Sequence, residues 1–366
     1  MINHQQPKLI SSKRDLTSLC KKLKDSPVVA VDTEFVRDRS YYPKLGLVQI
    51  ATPELIACID PLAVDLAPLY DILHSPDIEK IIHAARQDLE VLHLETDQVL
   101  SPLFDTQLAA AFIGMDRQVS YAGLVKLFCD KALKKSETQT PWLDRPLSDK
   151  QVYYAADDVR YLLHIHNLLQ KRLKNARRLD WFNEESEKLF GTSSWDNDPN
   201  QAWQRIRGRG RLDIRSQTVL VELAAWREHE AKKQDKPRTW VINDGALLWL
   251  AENQPTAVDQ LEDLRAAEAR KKYGEQLIKV IEDANKNVNK DSTTPKRGLS
   301  KDEREIVRDL QTLVAERAKG LNVDNTLLAT RSDVTSFVRN PAENPLTEGW
   351  RKEAIGDYLI SIATAA

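Results

Sequence analysis

Four acids in three short segments are the residues of this chain best placed to do chemistry. They are Asp32 and Glu34 in Val31-Asp32-Thr33-Glu34-Phe35, Asp88 in His83-Ala84-Ala85-Arg86-Gln87-Asp88-Leu89, and Asp158 in Tyr154-Ala155-Ala156-Asp157-Asp158-Val159. Asp32 and Glu34 follow the apolar run Val28-Val29-Ala30-Val31, which predicts a buried strand. Strand side chains alternate between faces, so both carboxylates leave the same one. Tyr154 and Asp158 lie four apart in an alanine-rich segment that runs on into Val159-Arg160-Tyr161-Leu162-Leu163, a spacing that stacks phenol and carboxylate on one helical face. Carboxylates crowded together repel one another and stay partly protonated unless divalent cations neutralise them. An all-oxygen donor set favours magnesium or manganese, and no cysteine or histidine cluster argues for zinc. Two such ions ~4 Å apart activate a water and stabilise both the attacking and leaving oxygens of an in-line displacement, which is how a phosphodiester is hydrolysed. A phenol, with an ordinary pKa of roughly 10, is a weak base, so Tyr154 suits orienting the water and helping to take its proton.

Periodicity leaves one choice open, because Tyr153 and Asp157 repeat the spacing of Tyr154 and Asp158. Other polar residues have structural readings first. Asp105 ahead of Thr106-Gln107-Leu108-Ala109-Ala110-Ala111 and Ser120 ahead of its own helical run are expected helix N-caps. His83, at the end of the Ile81-Ile82 strand, is placed either to touch a substrate phosphate or to fill the polar rim of the sheet. Gln49, Arg86 and Gln87 are candidates to support the acids or the substrate.

These residues together resemble the tyrosine-bearing branch of the DEDD exonuclease superfamily, and within it the ribonuclease D family. The first motif of that superfamily, an acid, any residue and Glu, matches Asp32-Thr33-Glu34; the second, an Asp at a helix start, matches Asp88; the third, Tyr, three residues and Asp, matches Tyr154 to Asp158. Tyr42-Pro43, Leu47-Val48-Gln49-Ile50, Phe104-Asp105-Thr106-Gln107, Ser120-Tyr121-Ala122-Gly123-Leu124 and Trp142-Leu143-Asp144-Arg145-Pro146-Leu147 extend the likeness. The resemblance selects Tyr154 and Asp158 over Tyr153 and Asp157. It implies that Asp32, Glu34 and Asp158 hold the metal carrying the nucleophilic water, with Asp32 bridging to a second metal that Asp88 supports. It also implies a 3'-to-5' exoribonuclease using two magnesium or manganese ions, releasing nucleoside 5'-monophosphates from RNA with a free 3' end, with transfer-RNA precursors the expected substrate. Thr33, Glu34 and Phe35 would meet the 3' hydroxyl, with His83 and Gln87 as further substrate contacts.

Residues 1–170 alternate short apolar strands with helical segments, as an α/β catalytic domain should. Val28 to Glu34, Leu47 to Thr52, Glu54 to Ile59 and Lys80 to His83 read as strands, the first three antiparallel neighbours, and a ribonuclease-H-like mixed sheet flanked by helices fits the order. From 171 onward the pattern is helical, with polar breaks at 191–194 and 285–298. The expected divisions are a connector at 171–209, a helical domain at 210–288 and a second at 299–366. By resemblance the two helical domains are of the helicase-and-RNase-D C-terminal (HRDC) type and help hold structured RNA. Arg205, Arg207, Arg209 and Arg211 follow Trp203 as the densest arginine cluster, fit either for RNA contact or as a solvated basic linker. Trp226, Trp240, Trp249 and Trp350 sit at apolar helical spacing and are expected in cores.

With 366 residues the chain can bury a large core in two or three domains. Its net charge of −2 means that nucleic-acid affinity must rest on local patches and metals. Cys20, Cys58 and Cys129 are far apart and odd in number, which predicts reduced, packed thiols; with a polar start and no membrane-length apolar stretch, a cytoplasmic location and no membrane partner are expected, and two appended helical modules able to clamp RNA within one chain favour a monomer without an obligate protein partner. A DNA-directed exonuclease would share the same acids, but no Gly-x-x-x-x-Gly-Lys-Ser/Thr phosphate loop marks a helicase. A non-catalytic RNA-binding scaffold would be expected to lack one of the acids, and none is missing.

Overall fold

The computed structural model describes residues 3–133, 140–191, 198–262, 264, 266–287 and 299–363. Of the polar breaks expected at 191–194 and 285–298, residues 192–194 and 288–298 lie outside the described residues. Six strands, β1 (Lys8–Ile10), β2 (Val28–Val36), β3 (Lys44–Ala51), β4 (Ile56–Ile59), β5 (Glu79–Ile82) and β6 (Leu103–Asp105), form one sheet in the order β1-β4-β3-β2-β5-β6. β2, β3 and β4 are antiparallel neighbours, while β1, β5 and β6 join parallel to β4, β2 and β5. The sheet is therefore mixed. β1 and β6 escaped the sequence reading because each is three residues long, too short for alternation to register.

Helices α1 (Lys13–Leu23), α2 (Ala67–Leu73), α3 (Arg86–Thr96), α4 (Thr106–Ala111), α5 (Tyr121–Cys129), α6 (Asp149–Arg160), α7 (Leu162–Asn175) and α8 (Leu179–Phe190) accompany it. Side-chain caps fix where several begin: Asp105 accepts from Gln107 and Leu108, Ser120 from Gly123, and Ser148 forms a capping box with Gln151 at the start of α6. Beyond residue 198 the main helices are α9 (Ile214–Gln234), α10 (Arg238–Val241), α11 (Asp244–Asn253), α12 (Ala267–Asn287), α13 (Lys301–Leu321), α14 (Asn325–Leu328) and α15 (Arg331–Arg339). No described helix is long and apolar enough to cross a membrane.

The chain divides into two compact units. One draws on Met1–Val36, Lys44–Trp195 and Ser300–Ala366, the other on Arg37–Pro43 and Asp196–Leu299. In the first, the C-terminal helices are fastened to α8. Glu185, 3% exposed, accepts a two-pronged hydrogen bond from the Arg351 guanidinium and another at 3.0 Å from Trp350 Nε1. Trp350 stacks on Trp181 with ring centroids 5.4 Å apart and meets Phe112 at 5.1 Å. Arg178 adds hydrogen bonds to the carbonyls of Phe112 at 2.7 Å and Asn322 at 2.9 Å.

In the second unit Leu220, Leu223 and Ala224 of α9 pack against Leu247 and Leu250 of α11 and Leu277 and Ile281 of α12. Trp226 and Trp249 lie half-buried against this core. Trp240 corrects the expectation: it is 60% exposed. Its helix is a single turn that buries Val241, and one turn has no second face to bury a neighbouring tryptophan. Of the arginine cluster, Arg209 lies over the Trp203 ring at 5.7 Å and donates to the Ile206 carbonyl, and Arg205 comes within 3.9 Å of the buried Glu228, whereas Arg207 and Arg211 are exposed. Part of the cluster thus serves the fold.

Candidate metal centre and catalytic site

The acids meet at the end of β2. Asp32 and Glu34, two residues apart, leave the face over which α6 runs. The ladder with β3 shifts register between Glu34 and Phe35, an irregularity beside the acids, and resumes with Phe35 opposite Leu45. α6 is docked from its start by Arg145, whose Nε and Nη2 each reach an Asp60 oxygen at 2.7 Å and whose Nη2 also bonds the Gly46 carbonyl at 2.8 Å. A Cβ at Gly46 would lie 2.8 Å from the Trp142 Cβ and carbonyl, so glycine admits the Trp142 segment against the sheet. Val152, Ala155, Ala156 and Val159 form the buried face of α6, small enough to bring the helix close, and Asp158 stands at the edge of that face. The result is a cluster in which one carboxylate oxygen each from Asp32, Glu34 and Asp158 lie within 4.8 Å of one another.

Asp88 arrives from the other side. Its helix α3 packs against β2, and its Oδ1 accepts from Thr33 N at 3.0 Å and Thr33 Oγ1 at 2.5 Å. Thr33 alternates with Asp32 and Glu34, so its buried side chain points to the opposite face and commits its hydroxyl to Asp88. Asp88 stands outside the three-carboxylate cluster, yet its charge acts on all three members.

Asp157 and Asp158 are separated by the structure. Asp157 Oδ1 pairs with Arg160 Nε at 2.6 Å, and Tyr153, 47% exposed, donates its hydroxyl to Gln6. Tyr154 is half-buried, its ring 6.3 Å from Trp142. Asp105 gathers the β5 to α3 turn as well as capping α4, accepting from Ala84 N and Ala85 N at 3.2 and 2.9 Å. His83 Nδ1 lies 3.0 Å from Thr106 Oγ1, and burial, opposed by the charge of Asp105, holds its imidazole below the ordinary value and so neutral. Gln87 and Arg86 are exposed at the first turn of α3, and Phe35 is half-buried. Tyr121 received no role from the sequence. It is enclosed near the cluster, accepting from Tyr161 N and donating to the Asp157 carbonyl at 2.9 Å, which ties down the end of α6. Its Ser-Tyr-Ala-Gly-Leu motif was the available signal.

Electrostatics make this cluster a candidate cation site. Burial first, then the charges of Asp158 and Asp88, push the Glu34 carboxyl up to about 8. Burial, Asp157 and Asp88 push Asp158 up to about 7. Asp32 is driven well above its ordinary range by burial and by Asp88, Asp158 and Glu34, whereas the Thr33 hydrogen bonds restrain the rise that burial imposes on Asp88. Such a set cannot be fully ionised at neutral pH by itself, and its hard oxygen donors fit a magnesium-type ion.

A pH effect follows. An acid whose folded pKa exceeds its unfolded value binds protons more tightly when folded, so folding is favoured at low pH and weakened as pH rises towards the folded pKa. Between pH 5 and 8 the metal-free protein should therefore lose roughly 2 kcal/mol or more from this cluster, and divalent cation should restore it. The expected observation is a gap between cation-loaded and chelated melting temperatures that widens with pH. A gap independent of pH would contradict the electrostatic reading.

Comparisons with known proteins follow the same lines. A family model described as 3'-5' exonuclease matches residues 7–174, and an HRDC domain model matches residues 216–281. A ribonuclease D of Sphingobium indicum is 35% identical over 365 residues, covering 97% of this chain and 94% of the relative; one of Zymomonas mobilis is 36% identical over 367 residues, covering 97% and 93%. Among solved structures, Escherichia coli RNase D, an exoribonuclease involved in structured RNA processing, aligns with a TM-score of 0.87 at 30% identity over 99% of both chains. The catalytic core of RRP6 from Trypanosoma brucei aligns with a TM-score of 0.59 at 26% identity, over 77% of this chain and 80% of that one.

Proposed function

The chain belongs to the ribonuclease D family and is a 3'-5' exoribonuclease, and on that premise we propose that it trims single nucleotides from the 3' ends of transfer-RNA precursors, releasing nucleoside 5'-monophosphates, with Asp32, Glu34, Asp88 and Asp158 holding two magnesium or manganese ions. The observation that carries the site assignment is the gathering of Asp32, Glu34 and Asp158 oxygens within 4.8 Å. Bound there, divalent cations supply Lewis acidity and compensate the negative charge that builds on the scissile phosphate.

The remaining work falls to the chain's own groups. Thr33 keeps the Asp88 carboxylate aimed at the strand end through two hydrogen bonds, fixing its orientation before substrate arrives. Tyr154, one turn before Asp158 on the same helical face, presents its hydroxyl to the attacking water and aligns it with the phosphorus. Phe35, half-buried beside Glu34, offers a ring edge to the terminal nucleoside. Gln87 meets a phosphate at the exposed first turn of α3, the helix end that favours anions, and His83, being neutral, contributes a hydrogen bond in place of a charge.

Transfer-RNA precursors are supported by the E. coli relative's part in structured RNA processing and by the exposed Arg207 and Arg211, suited to backbone phosphates. The test compares a transfer RNA carrying a short 3' extension with an unstructured RNA of equal length. The proposal expects kcat/KM at least ~10-fold higher on the extended transfer RNA, about 1.4 kcal/mol of added transition-state binding. Equal or faster trimming of the unstructured RNA would remove the transfer-RNA assignment and leave the exoribonuclease activity in place.

A further inference from the structure

Gln49 is fully buried in β3, and neither its Nε2 nor its Oε1 has a hydrogen-bond partner. Buried side-chain amides nearly always find one. The ladder gives Gln49 two opposite neighbours, Asp32 on β2 and Cys58 on β4. Residues directly opposite across strands share a face, so Asp32, Gln49 and Cys58 form one row. Cys58 Sγ lies 3.6 Å from the Val152 carbonyl of α6, which identifies the face as the one α6 covers. α6 turns Val152, Ala155 and Ala156 inward over this row, and its nearest acid, Asp158, stands at the edge of the face and is gathered with Asp32 and Glu34. The amide is thus roofed by methyl groups and stands beside Asp32. Asp88 has side-chain and backbone donors in Thr33, while the ladder partner of Glu34 is the apolar Leu47.

We propose that Gln49 is a positioning residue for the metal centre: with a divalent cation held there, its Nε2, otherwise unpartnered, would donate to one oxygen of Asp32 and leave the other for the cation. The proposal rests on reading Asp32 as a metal ligand. A carboxylate that ligates through one oxygen needs its second oxygen held, and losing such an outer hydrogen bond typically weakens metal binding ~10- to 100-fold. A purely structural Gln49 makes the opposite forecast. Methionine or leucine of similar volume would fill the site without stranding an amide, and nothing about metal binding should change.

The experiment uses the full-length chain as wild type, Gln49→Met and Gln49→Leu, titrated calorimetrically with manganese alone and melted in chelator. The expected result is melting temperatures at or above wild type in chelator, together with manganese affinity lowered ~10- to 100-fold in both variants. Excess manganese should then recover most of the lost RNA cleavage. Affinity within twofold of wild type would overturn the proposal. So would weakened binding accompanied by lower chelated melting temperatures in both variants, since Gln49 would then be a determinant of the fold. A wild-type protein that binds no manganese would instead remove the reading of the cluster itself, a failure distinct from that of Gln49.

Discussion

Asp158→Asn should lower turnover by ~10³-fold or more, while Asp157→Asn should stay within about threefold of wild type. The two substitutions are chemically identical and adjacent, so their difference isolates position. Asp158 has an oxygen within 4.8 Å of Asp32 and Glu34 oxygens; on the proposed assignment, replacing it removes a charged cation ligand without removing volume. Asp157 points to Arg160 at 2.6 Å with its side chain 45% exposed, and an exposed ion pair contributes little. Single-turnover rates at saturating cation would separate loss of chemistry from loss of RNA binding. Equal damage from both variants, or greater damage from Asp157→Asn, would move the catalytic helix face by one residue.

The largest stability effect should come from Glu185→Ala, at about 3–5 kcal/mol, because it leaves the Arg351 guanidinium buried without its partner. Burial pushes the Glu185 carboxyl up, but the hydrogen bonds and charge of Arg351 outweigh it and hold the group below its ordinary value. A depressed folded pKa contributes stability that is present above the unfolded pKa of roughly 4.5 and is lost as pH falls through the folded one. Chemical denaturation should therefore show wild type and Glu185→Ala converging on the acid side below that range. Replacing both partners by Glu185→Met and Arg351→Met should recover most of the loss, since two apolar side chains strand no charge. A single substitution costing less than about 1 kcal/mol would show that the C-terminal helices are not fastened through this pair.

Much of the candidate site was legible because its acids sit on regular elements. The alternation of a strand brings Asp32 and Glu34 to one face, and the four-residue helical interval brings Tyr154 alongside Asp158. Which of two equivalent registers faced inward was not legible from spacing, since Tyr153 and Asp157 obey the same interval; packing of Val152, Ala155 and Ala156 on the sheet orients the helix. The role of Thr33 depended on α3 crossing behind β2, a contact 55 residues away in sequence. The joining of residues beyond 300 to the catalytic sheet was equally hidden, because Glu185 and Arg351 stand 166 positions apart and leave no local pattern. Trp240 failed for the opposite reason: local apolar spacing promised burial, but a one-turn helix supplies only the face that Val241 occupies.

A time course on 5'-labelled single-stranded RNA and DNA of identical sequence, in magnesium, in manganese and in chelator, tests most directly whether this carboxylate cluster runs a cation-dependent 3'-to-5' exoribonuclease. The account predicts a ladder that shortens one nucleotide at a time from the 3' end of RNA in preference to DNA, with mononucleotide 5'-monophosphates as product and no shortening in chelator. Unchanged cleavage in chelator, cuts inside the chain or a preference for DNA would contradict it.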